Sequence, residues 1–331
     1  MSNGSLLSRF AEHHLWLARY VERTENLARI LDVNETFARD NTGVQDWLPI
    51  VHLHADDEAF FAEHQEASAK AVVEFYIADR DNPNSIIESI RAARENARSL
   101  RHLISIELWA QLNVFYGWLT DLKKRDYDLR NLSKLCSRIK EQCQLHTGIA
   151  EGTMFRDQAF AFYNLGRQIE RADQLTRLVD IKYHRLLPKV SDVGSAIDVS
   201  QWNALLRSVA GYQAFRRTHP SGMTPALVAG FLLFNPGFPR SLATCVREIR
   251  RLADALADDP GLEGKRLPPG PLEHLQEQTI QPIDQVIDRG LHEFLDKVQL
   301  NLIELAEAIG NTYFDQSPLD TQTQTQTQGV A

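Results

Sequence analysis

The chain has 331 residues, 43% of them apolar and 24% charged, with a formal net charge of −8. That is ample material for a packed core, so a wholly disordered chain is excluded. The acidic balance argues against a protein built to grip a nucleic-acid backbone, which asks for a basic face, and no nucleic-acid partner is expected.

The first residues, Met1 to Ser5, offer neither a cationic region nor an apolar stretch of leader length. From Phe10 the pattern turns helical. Phe10, His14, Leu17, Val21, Thr24, Ala28 and Leu31 recur at spacings of four and three, which predicts one long helix with a mainly apolar stripe. His13-His14, His52 with His54, and Asp56-Asp57-Glu58 carry ligand-type side chains. On a helix His52 and His54 diverge, and the acidic triplet suits a first helical turn, where it complements the dipole. Similar periodicity predicts helices over 68–79, 84–122, 128–147, 154–186, 199–214, 239–257, 272–289 and 291–314. Breakers stand at Asp81-Asn82-Pro83, Pro188, Asn235-Pro236-Gly237 and the 258–271 stretch. Strand patterns are scarce, and the class expected is all-α. The uncharged run from Thr218 to Pro239 contains four prolines, and its apolar centre, Ala226 to Phe234, is too short to span a bilayer. Three cysteines, Cys136, Cys143 and Cys245, read as reduced core residues. The expected setting is the cytoplasm, with no membrane partner. Thr321 to Gln328 is a Thr-Gln repeat without core-forming residues, so a disordered tail is predicted over 317–331.

The strongest internal signal is a repeat. Residues 16–32, WLARYVERTENLARILD, align with residues 164–180, NLGRQIERADQLTRLVD, and seven of the 17 positions are identical. Residues 75–100 align without gaps with 231–256, matching Phe75/Phe231, Pro83/Pro239, Ser85/Ser241, Arg91/Arg247, Arg94/Arg250, Ala97/Ala253 and Leu100/Leu256. Trp47 meets Trp202 between them, and Leu132, Thr153 and Phe155 meet Leu291, Thr312 and Phe314. Collinear matches of this kind predict two related helical halves, 5–150 and 151–316. They would share one core with pseudo-two-fold symmetry.

The repeat keeps its charges as well as its apolar residues: Arg19/Arg167, Glu22/Glu170, Arg23/Arg171, Arg29/Arg177 and Asp32/Asp180, with Glu25 opposite Asp173. Arg19 to Glu22 has i,i+3 spacing and Glu25 to Arg29 has i,i+4 spacing. Exposed pairs are worth about 0–1 kcal/mol each, too little to hold both copies in step. Three uses fit such a face: a buried ion-pair lattice, a ligand or partner site, or a plain surface. A buried unpaired charge is costly, so in the first case each arginine needs its carboxylate.

LARYVERTENLARILDV, GTMFRDQAFAFYNLGRQIERADQLTRLVD, IRAARENARSLRHLISIELWAQLN and FNPGFPRSL together resemble the bacterial alpha-E family over about residues 6–315. That family is an all-helical domain of unknown function. Its members are typically encoded beside, or fused to, a circularly permuted ATP-grasp protein, which has led to a proposed role in amide or peptide-bond synthesis. The resemblance implies an ATP-grasp-type ligase as partner; it supplies no catalytic residue.

Other constellations are weaker. Glu22/Glu25 and Glu170/Asp173 would bring four carboxylates onto facing helices, as in di-iron bundles, but no histidine stands at i+3 and the interleaved arginines oppose a dication. No metal ion is expected. Arg91, Arg94, Glu95, Asn96 and Arg98, with Arg247, Arg250 and Arg251, form a second polar band. It suits helix-surface ion pairs or the binding of phosphate or carboxylate groups. Glu107 lies in an otherwise apolar segment and is expected to face an arginine of the lattice; Trp109 reads as core. No Gly-rich phosphate loop and no nucleophile constellation occurs, so no cofactor is expected and any ATP would be bound by a partner. Three functional readings follow. One is a non-catalytic accessory or substrate-presenting subunit of an ATP-grasp-linked ligase. Another is an enzyme or binding protein whose Arg/Glu-lined cleft takes an anionic metabolite or an amino-acid-like or peptide ligand. The last is a purely structural scaffold.

Overall fold

A computed structural model of the chain describes residues 6, 8–40, 46–186 and 196–314. They form fifteen α-helices and, among the described residues, no strand. The breaker at Pro188 and the Thr-Gln tail lie outside the described residues.

Helix α1 (Ser8–Asp40) and helix α8 (Gln158–Leu186) are the longest, with 33 and 29 residues. They cross in the middle of the molecule. Three short helices, α2 (Leu48–His54), α3 (Asp57–Glu63) and α4 (Ala69–Ile77), lead to α5 (Ile86–Ser99), α6 (Ile106–Thr120) and α7 (Leu129–Thr153). α1 packs against α5 and α7, and α5 against α6. After α8 come α9 (Ala196–Ser208), α10 (Tyr212–Thr218), α11 (Pro225–Phe234) and α12 (Leu242–Ala257). The chain closes with α13 (Pro271–Thr279), α14 (Ile283–Arg289) and α15 (Leu291–Tyr313). α8 packs against α12 and α15, and α12 against α13. α2 lies on α8, while α9 lies on α1.

Side-chain capping explains five of the helix starts. Ser68, Ser85, Ser105, Thr224 and Ser241 each accept the backbone N–H three residues on, satisfying one orphan donor of the first turn. Pro225 follows Thr224 at the first helical position, where its fixed φ is pre-organised. Asp57 and Glu58 occupy the first turn of α3, as the acidic triplet predicts.

Several boundaries differ from the sequence expectation. The segment 84–122 is two helices, because the chain leaves the helical path at Leu100 and restarts at the Ser105 cap. Residues 199–214 are divided at Ala210, which adopts a left-handed φ of 57°. Residues 272–289 are divided before Pro282, whose missing N–H cannot continue α13. α7 runs six residues beyond 147, and α2 and α11 were not among the expected helices.

The core is one continuous apolar cluster threaded by both long helices. Trp47 and Trp202 are both buried within it, as are Cys136, Cys143 and Cys245, all as free thiols. On α1 every residue from Val21 to Ala28 is buried, charged ones included. An amphipathic helix would leave its polar side in water; here that side faces α8. No described helix is long and apolar enough to cross a membrane.

Candidate functional site

The crossing of α1 and α8 is unusually close. A Cβ on Gly166 would lie 2.1 Å from the carbonyl oxygen of Leu15, so only glycine fits there. Its partner in the sequence alignment is Ala18, also small and buried. This approach brings the two charged helix faces into direct contact.

Glu170 sits at the centre with no solvent exposure. Arg23 donates to it as a fork, Nε at 2.7 Å and Nη2 at 3.1 Å, and Arg19 Nε donates at 2.9 Å. Glu22 accepts an equivalent fork from Arg171, Nε at 3.0 Å and Nη2 at 2.7 Å. Each glutamate of a Glu-Arg dipeptide is therefore held by the arginine of the other. Along each helix, Arg29 Nε donates to Glu25 at 3.0 Å, and Arg177 Nε donates to Asp173 at 3.1 Å. At the ends of the faces, Asp32 accepts Ser133 Oγ at 2.6 Å and pairs with Lys140, while Asp180 meets His292 Nδ1 at 2.9 Å. The side chains of Glu22, Glu25, Glu170 and Asp173 are at most 5% exposed, which removes the plain-surface alternative for this face.

Two pairings differ from the spacing argument. Arg19 reaches across to Glu170 rather than along its own helix, because the Glu22 carboxylate is taken by Arg171 and by Arg240 Nη1 at 2.6 Å. Arg167 turns away to Glu151 at 2.9 Å. Arg240 is the member that sequence reasoning missed. It also donates Nη2 to Glu25 at 3.0 Å and Nη1 to Asn26 at 3.0 Å. The signal was present: Arg240 follows Pro239 and aligns with Asn84, so a cation replaces an amide between otherwise similar segments. Asn84 has a related place, accepting Arg23 Nη1 at 3.4 Å and donating to Asp56 at 2.8 Å.

A second missed correspondence is aromatic. Phe60, His64 and Phe75 form a ring cluster, with Phe60 edge-on to Phe75 at 5.1 Å. Phe215, His219 and Phe231 form another, with Phe215 edge-on to Phe231 at 5.4 Å. Both histidines directly follow a seven-residue helix, a regularity visible in the sequence once Phe75 and Phe231 are aligned.

The remaining candidates are peripheral. Arg91 pairs with Glu88, Arg98 with Glu95, and Arg251 with Glu248, and all three arginines are at least half exposed. Arg94 donates to Asn113 at 2.7 Å and lies 5.5 Å from the rings of both Trp109 and Tyr116. Trp109 itself is partly buried against the core. Arg247 caps the Pro236 carbonyl, and Arg250 binds Gln276 and Glu273. The arginines of the band thus make an outer set of helix-surface contacts, while Asn96 is buried and meets His13 Nδ1 at 2.7 Å. Glu107 does not face a lattice arginine: it is exposed in the first turn of α6, because the break before Ser105 places it at a helix start. His52 pairs with Asp57 at 2.6 Å on the surface. Asp180, His292 and Asp296 bring three possible metal-ligand atoms within 4.8 Å, and the last two residues are exposed.

Electrostatics follow the geometry. Burial pushes the Glu170 carboxyl up, but Arg23 and Arg19 outweigh it and hold it at about 2. Burial likewise opposes ionisation of Glu22, and Arg171 and Arg240 hold it well below the usual carboxylate range. Burial lowers three imidazoles: His14 to about 4, and His54 and His146 to about 3. In the unfolded chain these imidazoles take up protons below the ordinary 6.5, and the carboxylates below 4.5. The folded protein resists both, so its stability is greatest above the imidazole value and falls as pH drops. Chemical denaturation should show a loss on the order of a few kcal/mol between about pH 7 and about pH 4, steepening as the carboxylate range is entered. An unfolding midpoint unchanged over that range would contradict these assignments.

A family profile named Alpha-E, described as a predicted alpha-helical domain with a conserved ER motif, matches residues 6–314. The dipeptide Glu-Arg occurs twice in this sequence, at Glu22-Arg23 and Glu170-Arg171, the residues that exchange partners at the crossing. An uncharacterized protein of Mycobacterium bovis and one of Mycobacterium tuberculosis are each 23% identical over 320 residues, covering 90% of this chain and 34% of the relative. The chain thus spans about a third of the length of the curated relatives it matches. No solved structure matches it.

Proposed function

The chain belongs to the Alpha-E family, and we propose that it acts as a non-catalytic accessory or substrate-presenting subunit of an ATP-grasp-linked amide or peptide ligase. The observation that carries this reading is the state of the Glu-Arg motif. Every carboxylate of the crossing, Glu22, Glu25, Glu170 and Asp173, is already bound by arginine. Glu22 and Glu170, held ionised by their arginines, are poor general acids or bases, which need a value near the working pH. The motif instead sets the angle and distance of two long helices, and the outer surfaces are left for interaction. In the mycobacterial relatives the matched region is joined to roughly twice its own length of other sequence, consistent with a domain that works beside another. The same reading places the protein in the cytoplasm, where ATP is available and its thiols stay reduced.

The architecture is, in this proposal, a tandem duplication with pseudo-two-fold symmetry about the crossing. The reciprocal forks support it, as isologous contacts are reciprocal by construction. So do the matched neighbours, α5 and α7 on α1, α12 and α15 on α8, and the two aromatic-histidine clusters.

The tagged full chain, purified from its own cells, is expected to bring down an ATP-grasp protein. ATP-dependent amide formation by that protein should require this chain and should survive Glu95→Gln on its outer surface. Ligation by the ATP-grasp protein alone at an undiminished rate, or catalysis by this chain alone, would refute the reading. A binding role for an anionic ligand has one observation in its favour, a cavity beside Arg171 and Arg240.

A further inference from the structure

The carboxylates and guanidinium groups around Glu22 do not balance. Arg171, Glu22, Arg240, Glu25 and Arg29 form an alternating chain of contacts, with Arg171 to Glu22 at 2.7 Å, Arg240 to Glu22 at 2.6 Å and to Glu25 at 3.0 Å, and Arg29 at the far end. Three cations thus share two anions, and all five side chains are at most 14% exposed. A further arginine that acts on Glu22, Arg167, pairs with Glu151, which also takes the half-exposed Arg156. The thiols of Cys143 and Cys245, which feel this cluster, are kept neutral by burial and add no negative charge. A buried excess of one positive charge is costly unless something compensates it.

A cavity of about 20 Å³ lies at the Arg171–Arg240 end and is partly open to solvent. It has room for a carboxylate group or for one or two waters. One wall is polar, with Asn26, Gln174 and Ser208 beside the two arginines; the other is aliphatic, with Ile30, Leu178 and Val209 among its members. Arg171 spends Nε and Nη2 on Glu22, and Arg240 spends Nη1 and Nη2 on Glu22, Glu25 and Asn26. That leaves Nη1 of Arg171 and Nε of Arg240 as donors for a ligand. The acceptor Oε1 of Gln174 is buried and unpartnered, with the side chain more than nine-tenths buried, and asks for a donor such as a water held beside the bound carboxylate rather than for the carboxylate itself.

We propose that this cavity is a binding site for a monovalent carboxylate carried on a short aliphatic group. The charge deficit sets the valence, guanidinium donors suit a carboxylate, and the size and aliphatic wall admit little more than a methyl or ethyl substituent beyond it. A phosphate dianion would overshoot the charge, and its oxygens would leave the aliphatic wall unmatched. On the opposite side of the crossing Glu170 also takes two arginines, Arg23 and Arg19, but the positions that correspond to the cavity wall differ: Asn84 aligns with Arg240, His54 with Val209 and Leu53 with Ser208. The inference is independent of the ligase reading and stands or falls without it.

The full chain is titrated with sodium acetate at constant ionic strength, the balance being sodium chloride, with thermal unfolding and carbon-13 acetate line broadening as readouts. Gly-Gly-Ala with a free and with an amidated C-terminus forms a second arm. Acetate should raise the melting temperature saturably while chloride does not. Val209→Ile, which fills the space, and Arg240→Asn, which substitutes the residue found at the aligned position, should each weaken acetate binding by about tenfold or more, measured against each variant's own baseline. If Arg240→Asn does not fold, Val209→Ile decides alone. Tighter binding of the free tripeptide than of acetate, absent with the amide, assigns the carboxylate to a peptide terminus; acetate binding alone assigns it to a free acid. An acetate response no larger than that of chloride, or one undiminished in Val209→Ile, overturns the proposal.

Discussion

Glu170→Gln is expected to lower the unfolding free energy by about 3–5 kcal/mol, the usual cost of leaving buried charges without their partner. The reason is the arrangement around this carboxylate. It is fully buried, and it is the acceptor for three guanidinium N–H groups from Arg19 and Arg23. Glutamine keeps the volume and one acceptor oxygen but removes the negative charge, so two buried cations lose their counter-ion. Neither can turn to water, since both side chains are 5% exposed. For a chain of this size the loss corresponds to a fall in melting temperature of about 4–7 °C. Glu95→Gln provides the contrast. Glu95 pairs with Arg94 and Arg98 in a setting where Arg98 is 65% exposed, and its loss should cost about 0–1 kcal/mol. Calorimetry or urea titration of both variants checks the difference; equal effects would mean that the crossing is not the low-dielectric site described.

Gly166→Ala should destabilise by about 2–3 kcal/mol even though alanine is the better helix former by about 1 kcal/mol. The added methyl would stand 2.1 Å from the Leu15 carbonyl oxygen, an atom of α1's own backbone that no rotamer change can move. α1 and α8 would have to separate, lengthening both arginine forks at once. Gly148→Ala on α7 has nothing within 4 Å of the new methyl and should be neutral or slightly stabilising. The comparison separates close helix approach from any general effect of replacing glycine. A Gly166→Ala protein as stable as the parent would show that the approach is not tight.

Much of the framework was legible in the sequence because it depends on local rules. The long first helix, the helix start at Ser85 and the acidic first turn of α3 all follow from spacing, capping and dipole arguments. The break between α5 and α6 was hidden because Leu100, Ile104 and Leu108 keep helical spacing through it, with no proline or glycine to mark it. The break at Pro282 was, by contrast, written in a plain signal that the periodicity of 272–289 outweighed, and the Thr224-Pro225 helix start was passed over because the run that follows it is apolar on every side and shows no helical period. At the site, the matched charges of the two copies pointed to the right residues but not to the right partners. Which carboxylate Arg19 takes depends on how closely α8 approaches, and that depends on one hydrogen in place of a methyl at residue 166. Arg240 joins from a segment far along the chain, a tertiary event that no helical spacing encodes. The Glu107 expectation failed because it rested on the continuous helix that the Ser105 cap interrupts.

The central claim is that the two Glu-Arg dipeptides neutralise each other across a buried crossing. A double-mutant cycle on Arg23 and Glu170 tests it most directly, with Arg23→Met, Glu170→Gln and the combined variant compared by urea denaturation. Because each single change strands a buried charge that the other relieves, the combined protein should be more stable than the sum of the single losses by about 2–3 kcal/mol. Strict additivity would contradict the account, since it would mean that the fork between Arg23 and Glu170 contributes nothing to holding the helices together.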